Sequence, residues 1–220
     1  MTESYHHLDP RIQRTRAYLR EAFIDLVLDR GYQDITVTNL AERALINRST
    51  FYLHYHDIED LMTSGFGEYW ERVLPGSPLF VYHKPVLDAD RLLAILESDL
   101  AHFDDLRQFY RVMLCEEQIC PFENCLSDHL LKITQERFAP PYTYADLPAI
   151  PLPLVHTWAA SAYLGVVRSW LEKEEPESIS TLAPRLADLF LSTFQTSPAR
   201  TRPREFNQLQ EESGFAGIVS

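Results

Sequence analysis

Two short segments with helical apolar spacing, residues 37–44 and 48–54, are separated only by Leu45, Ile46 and Asn47. A gap of that size is one turn wide, which is the spacing of a helix-turn-helix. Thr36 and Asn47 directly precede the two segments, where side-chain oxygens commonly accept hydrogen bonds from the first amides of a helix. The sequence therefore predicts two short capped helices joined by a tight turn.

Longer helices are predicted on both sides of this pair. Residues 12–30 carry apolar side chains at three-and-four spacing, and Gly31 follows the last of them as the expected end of the helix. A second helix is expected from residue 57 to about 74, where Pro75, Gly76 and Pro78 interrupt the pattern. A three-helix core would bury the following residues: Leu40, Ala41, Ala44, Ile46, Phe51 and Tyr55.

The side chains left on the outside of the second short helix are mostly hydrogen-bond donors. They are Asn47, Arg48, Ser49, Thr50, Tyr52, Leu53 and His54. Polar groups of this kind contact phosphates and base edges when the second helix of the motif enters a major groove. We therefore expect this face to bind double-stranded DNA.

The run Thr50, Phe51, Tyr52, Leu53, His54, Tyr55 resembles the recognition helix of TetR-family regulators. The resemblance extends over about residues 12–74 and includes the following positions: Gly31, Tyr32, Thr36, Leu40, Ala41 and Glu59 to Leu61. It implies a three-helix DNA-binding domain followed by a larger helical domain for effector binding and dimerisation.

Carried over by position, the resemblance implies that Thr36, Tyr52 and His54 contact phosphate. It places another group near base edges: Thr38, Arg48, Ser49, Thr50 and Leu53. Arg48 is the first candidate for direct readout, because a guanidinium donates two hydrogen bonds to guanine. The family commonly has a lysine near the start of the next helix, whereas this chain has Ile58, which predicts weaker non-specific binding.

Beyond residue 74 the spacing is again helical, near 88–104, 105–115, 122–138, 152–174 and 179–196. Five prolines between residues 139 and 153 predict a connecting loop, and the polar segment 198–220 predicts a flexible tail. We expect an all-α chain with a DNA-binding domain and linking helix at 1–74, a ligand-binding and dimerisation domain at 75–197, and the tail at 198–220.

Small residues are interleaved with large ones along the helix near 154–172, and the helix near 179–196 is strongly apolar. Small side chains let helices approach closely, so we expect these two helices to pair with their mates in a homodimer. A dimer places two recognition helices about one DNA turn apart, which predicts a palindromic operator.

Aromatic and polar side chains in the C-terminal part are the candidates for an effector pocket of unknown ligand. They are His102, Phe103, Phe109, Tyr110, Met113, Trp158 and Tyr163. A cavity between helices that is lined by Tyr and Trp suits a partly apolar small molecule. The resemblance implies repression relieved by such a ligand, although activation also occurs in the family.

The charge distribution favours DNA binding through the N-terminal segment only, and not through a basic surface over the whole protein. The net charge of -12 excludes a broad basic coat, yet residues 1–55 balance seven arginines against seven acidic residues. The chain shows no signal peptide, membrane span, catalytic arrangement, metal motif or cofactor loop, so we expect a cytoplasmic protein that is neither an enzyme nor a membrane protein.

Two alternatives stay open. Ile58 and its acidic neighbours allow a ligand-binding or protein-interaction module whose helix-turn-helix no longer binds DNA. The other alternative is a redox-sensing regulator that uses Cys115, Cys120 and Cys125, because thiolates oxidise reversibly. Their spacing fits no compact zinc knuckle, and buried cysteine is a common small apolar residue.

Overall fold

The computed structural model describes residues 9–73, 89–117, 119–137 and 151–194, and every regular element within those ranges is helical. Helix α1 spans Pro10–Arg30, where the Asp9 carboxylate accepts a hydrogen bond from the Arg11 amide at 2.8 Å. It ends as predicted at Gly31, whose φ of 81° favours glycine and whose amide bonds to the Val27 carbonyl at 2.9 Å.

The next elements form the predicted helix-turn-helix. A 3₁₀ turn at Tyr32–Asp34 leads into α2 at Val37–Arg43, and α3 follows at Arg48–Tyr52. Both helices are slightly shorter than the predicted 37–44 and 48–54, because their last residues belong to turns.

The predicted helix 57–74 is present but not uniform. Helix α4 at Ile58–Asp60 continues through a π-helical segment at Leu61–Gly65 into α5 at Phe66–Val73. A side chain at Gly65 would place its Cβ only 3.0 Å from the Tyr55 hydroxyl, so glycine allows this segment to lie close to the end of the helix-turn-helix.

The C-terminal part contributes five further α-helices within the described residues. They are α6 at Ala89–Asp105, α7 at Arg107–Arg111 with a π-helical segment at Val112–Glu116, α8 at Cys120–Arg137, α9 at Leu152–Glu172 and α10 at Ile179–Phe194. Helix α8 packs along α9, and α10 packs along α6. The predicted break after residue 74, residues 139–150 of the predicted loop and the tail lie outside the described residues.

Four phenylalanine rings join the two parts of the chain. The Phe66 and Phe109 rings stack with their centroids 5.3 Å apart, and Phe23 and Phe122 pack edge-on against both. The rings come from α1, α5, α7 and α8, and all four are fully buried. The apolar core is therefore continuous from the three-helix unit into the C-terminal helices, and the domain division at residue 74 stays a prediction.

Candidate nucleic-acid interface

The first short helix begins with a reciprocal cap. The Thr36 hydroxyl accepts a hydrogen bond from the Asn39 amide at 3.3 Å, while the Asn39 side chain accepts one from the Thr36 amide at 2.9 Å. Asn47 occupies the equivalent position before α3, as predicted, but its side chain makes no capping hydrogen bond there. The Asn47 side chain is exposed, so its amide group points toward solvent rather than toward the helix end.

The inner side of the motif is packed as the sequence predicts. Leu40, Ala41, Ala44, Phe51 and Tyr55 are all at most 8% exposed. Leu45 in the turn has a φ of 55° and is 92% exposed, so the chain reverses direction there with the leucine side chain in solvent. The Ile46 amide closes the turn on the Ala41 carbonyl at 2.9 Å.

The outer side of α3 presents the predicted contact residues to solvent. Arg48 and Ser49 are exposed, Tyr52 is 51% exposed and Leu53 is 82% exposed. Thr50 and His54 are partly buried, while Thr36 and Thr38 on the neighbouring helix are exposed. Burial of Phe51 and Tyr55 therefore orients the helix with its polar face outward. None of these residues is shown in contact with DNA, so their contacts stay predictions.

Ion pairing separates the arginines of this region into two groups. Arg43 pairs with Asp29 at 3.1 Å and Asp25 at 3.6 Å, and Arg30 also pairs with Asp29 at 3.2 Å. Arg48 forms no ion pair within the described residues, with Glu42 of α2 or with any other carboxylate there. Its guanidinium donors are available to an external partner.

His54 lies beside a cation at the end of α3. Partial burial lowers the pKa of His54, and the positive charge of Arg16 lowers it further. The Arg16 guanidinium itself pairs with the Glu68 carboxylate and lies 5.5 Å from the centre of the Tyr55 ring. A neutral His54 would act toward a phosphate as a hydrogen-bond donor rather than as a cation.

The start of α4 has the apolar Ile58 where TetR-family members commonly have a lysine. Ile58 is partly buried against the core, and the Asp57 carboxylate accepts the Asp60 amide at 2.8 Å. The Asp60 carboxylate in turn accepts the His56 amide at 2.9 Å. Carboxylates of the chain therefore already bind two amides that the start of a helix would otherwise offer to a phosphate.

The structure brings five of the seven candidate effector residues together in the C-terminal core. Phe103, Phe109, Tyr110 and Met113 are fully buried, and His102 bonds to the Tyr110 hydroxyl at 2.7 Å. The remaining two lie on α9. Tyr163 is 6% exposed and its ring packs 6.5 Å from that of Phe190, whereas Trp158 is 44% exposed.

A short polar chain runs through this core. The Tyr110 hydroxyl accepts a hydrogen bond from the Trp70 indole at 2.7 Å on its other side. Burial lowers the pKa of His102 to about 4 and strongly raises that of Tyr110. Both groups are therefore neutral near pH 7, and Trp70 connects them to the helix that leads back to the DNA-binding motif.

Sequence reasoning missed one polar contact between the two parts of the chain. Both carboxylate oxygens of Glu117, at the end of the α7 π-helical segment, accept the Tyr32 amide at 3.2 Å. A Cβ added to Gly31 would lie 2.5 Å from the nearer oxygen. No local pattern indicates a contact across 85 residues, and Gly31 was interpreted only as a helix terminator.

The three cysteines differ in their exposure to solvent. None of the three forms a disulfide; Cys120 is exposed, and Cys115 and Cys125 are partly buried. Burial raises the pKa of both Cys115 and Cys125, which disfavours their thiolate forms. The described residues contain no group of His, Cys, Asp and Glu side chains suited to a metal ion, and none of their helices is long and apolar enough to cross a membrane.

The described residues thus combine a capped helix-turn-helix, whose α3 face is exposed, with a body of α-helices. Residues 90–192 match the family model TetR_C_8, described as the transcriptional regulator C-terminal region. The chain is 30% identical over 105 residues to YxbF, an uncharacterized HTH-type transcriptional regulator of Bacillus subtilis strain 168. That alignment covers 46% of this chain and 27% of YxbF, so it spans about a quarter of the relative's length.

Solved structures agree on the fold. The fatty acid degradation regulator FadR from Bacillus halodurans has a TM-score of 0.59 at 16% identity, over 87% of this chain and 100% of that one. The regulator FadR from Bacillus subtilis, solved in complex with stearoyl-CoA, has a TM-score of 0.58 at 14% identity, over 80% of this chain and 97% of that one. In its C-terminal region and in its fold the chain is similar to TetR-family transcriptional regulators.

Proposed function

We propose that this protein represses transcription by binding a palindromic operator as a homodimer, and that a small-molecule effector modulates the binding. The observation that carries the proposal is the outer face of α3, where Arg48 forms no ion pair within the described residues and Tyr52 and Leu53 are more than half exposed. An unpaired arginine on a helix that fits a major groove is suited to bidentate recognition of guanine.

An exposed uncharged stripe on α9 supports the homodimer. Leu154 is 60% exposed and Trp158 is 44% exposed, and Ser161 and Gly165 continue the same face of the helix. A Cβ added to Gly165 would meet nothing within 4 Å, so there is open space above it for a second helix. On α10, Leu189 is a further exposed apolar side chain, at 51%. An isologous contact would cover both helices in each protomer.

Effector control is supported by the family and by the C-terminal core. Stearoyl-CoA is the ligand in the structure of the Bacillus subtilis regulator and is not assigned to this chain. For this chain we propose a partly apolar ligand that binds among the C-terminal helices near the His102 and Tyr110 pair. Such a ligand would lower operator affinity by as much as it prefers the protein conformation that does not bind DNA.

Selection of bound sequences from a random duplex pool at fixed, moderate salt tests the DNA-binding proposal. Wild type should enrich a palindrome, and Arg48→Ala should relax one position per half-site at a cost of about 1–3 kcal/mol. Tyr52→Phe should weaken binding to all sequences alike, because a phosphate contact carries no base information. If no sequence is enriched at any salt concentration, the proposal is wrong and the helix-turn-helix is not used on DNA.

Analytical ultracentrifugation tests the homodimer. Trp158→Glu and Leu189→Glu should shift wild-type dimer toward monomer, because each would bury an unpaired carboxylate in the proposed interface. Leu28→Glu is the matched control, since Leu28 is 46% exposed on α1 and outside that surface. Dimers that persist in both interface variants would contradict the α9 and α10 interface.

Thermal denaturation with acyl-CoA and aromatic carboxylate probes tests the effector. A ligand that binds only the folded protein stabilises it by about 2.7 kcal/mol when present at a hundred times its dissociation constant. The same ligand should release the selected operator. Absence of stabilisation by every probe would argue against a partly apolar effector.

A further inference from the structure

The first two turns of α1 carry two exposed arginines that are not paired with any carboxylate of the described residues. Arg11 and Arg14 are exposed, and neither forms an ion pair within the described residues. The Asp9 carboxylate nearby accepts the Arg11 backbone amide rather than its guanidinium. Arg16, in contrast, turns inward and pairs with Glu68.

The contacts of Arg16 place the first half of α1 beside the end of the recognition segment. The far end of the helix, at Gly31, lies against Glu117 of the C-terminal part. A helix of 21 residues is about 30 Å long, so its start is remote from that contact. Arg16, between Arg14 and the helix middle, already lies 5.5 Å from the ring of Tyr55, directly after the recognition segment.

The absence of a lysine at the start of α4 suggests what these arginines bind. The usual lysine position at the start of α4 holds the partly buried Ile58, and acidic side chains follow it. In homeodomains, which also use a three-helix motif, the segment before the first helix reaches into the adjacent minor groove, between two phosphate backbones. The same approach would bring the start of α1 close to the phosphodiester backbone of DNA when α3 enters the major groove.

We infer that Arg11 and Arg14 bind phosphates flanking the operator half-site and supply the backbone charge that Ile58 does not. The inference rests on the proposed operator binding. It assigns the two arginines to affinity and not to base recognition, because phosphate contacts are the same for every sequence. In a homodimer they would neutralise four phosphates, two from each protomer.

The salt dependence of operator affinity tests this inference directly. Loss of four phosphate contacts should lower the slope of log K against log salt by about 3.6, since each contact contributes about 0.9. Between 50 and 200 mM salt, the fold-reduction in operator affinity should therefore be about 150 times smaller for the Arg11→Ala/Arg14→Ala variant than for wild type. Arg11→Lys/Arg14→Lys should restore the slope, because it keeps the charge.

Arg30→Ala is the matched control, because Arg30 lies on the same helix, is exposed and pairs with Asp29. It should leave the slope unchanged. Circular dichroism should show the same helix content in all variants, since the substituted side chains are exposed. The sequence selected from the random pool should be unchanged in the double alanine variant.

A wild-type salt slope retained in the double alanine variant would overturn the inference while leaving operator binding intact. A changed consensus would overturn it too, because the arginines would then read bases. If wild type itself selects no sequence, the proposed function fails first, and that result is distinguishable because it appears without any substitution. A reduced slope with an unchanged consensus supports both.

Discussion

Gly31 and Glu117 form the contact between the DNA-binding motif and the C-terminal helices that is most open to a quantitative test. Gly31 has φ 81° and ψ 163°, a region that residues with a side chain occupy at a cost of about 1–3 kcal/mol. In Gly31→Ala the new Cβ would lie 2.5 Å from the Glu117 Oε1. The flexible carboxylate would move away and release the Tyr32 amide.

Losing a hydrogen bond to a charged acceptor costs about 1.5–3 kcal/mol. Adding the backbone strain, we expect Gly31→Ala to lower the free energy of unfolding by about 4 kcal/mol. For a chain of this size that corresponds to a fall in Tm of roughly 8–16 °C. Glu117→Ala removes the hydrogen bond without the strain and should cost about 2 kcal/mol.

The double variant separates this mechanism from general damage. Once Gly31→Ala has displaced the carboxylate, removing Glu117 costs nothing further, so the double variant should be about as stable as Gly31→Ala alone. The sum of the two single losses in free energy of unfolding would then exceed the loss in the double variant by about 2 kcal/mol. Urea unfolding at one protein concentration measures all four proteins, because stability of a dimer depends on concentration.

Gly67→Ala is the matched control for the glycine substitution. A Cβ at Gly67 meets nothing within 4 Å, and the residue lies inside α5. Alanine there should stabilise the protein by about 0.5–1 kcal/mol or leave it unchanged. If the Gly31 and Glu117 effects add within about 0.5 kcal/mol, the two positions do not interact and the reasoning is refuted.

Three further results are expected. Tyr110→Phe leaves the Trp70 indole without its acceptor and should cost about 1–3 kcal/mol in urea unfolding, whereas an unchanged midpoint would mean that the indole finds another acceptor. Burial lowers the folded-state pKa of His102 to about 4, so protonation of this side chain favours the unfolded chain as the pH falls below 6.5. The free energy of unfolding should therefore decrease by about 2 kcal/mol between pH 7.5 and 5. The same pH slope in His102→Gln would exclude that origin. One thiol should react rapidly with a disulfide reagent at pH 7, and Cys120→Ser should abolish the fast phase, because the other two cysteines are partly buried with raised pKa values; a surviving fast phase would contradict this assignment.

The sequence by itself determined the elements that depend on near neighbours. Helical spacing predicted α1 to α3 within one or two residues, and Gly31 and Thr36 were correctly placed at helix ends. The same spacing predicted that Phe51 is buried and Tyr52 exposed. These features follow from interactions between residues at most four positions apart, which a linear pattern records.

Tertiary structure alone decided which charges are available and which contacts join the parts of the chain. Arg16 is neutralised by Glu68 across 52 residues, while Arg14, two positions earlier, forms no ion pair within the described residues. Glu117 reaches the Tyr32 amide, and burial holds His102 neutral. Such outcomes depend on which distant side chains packing brings together and how far it removes them from water, and neither quantity has a period along the sequence.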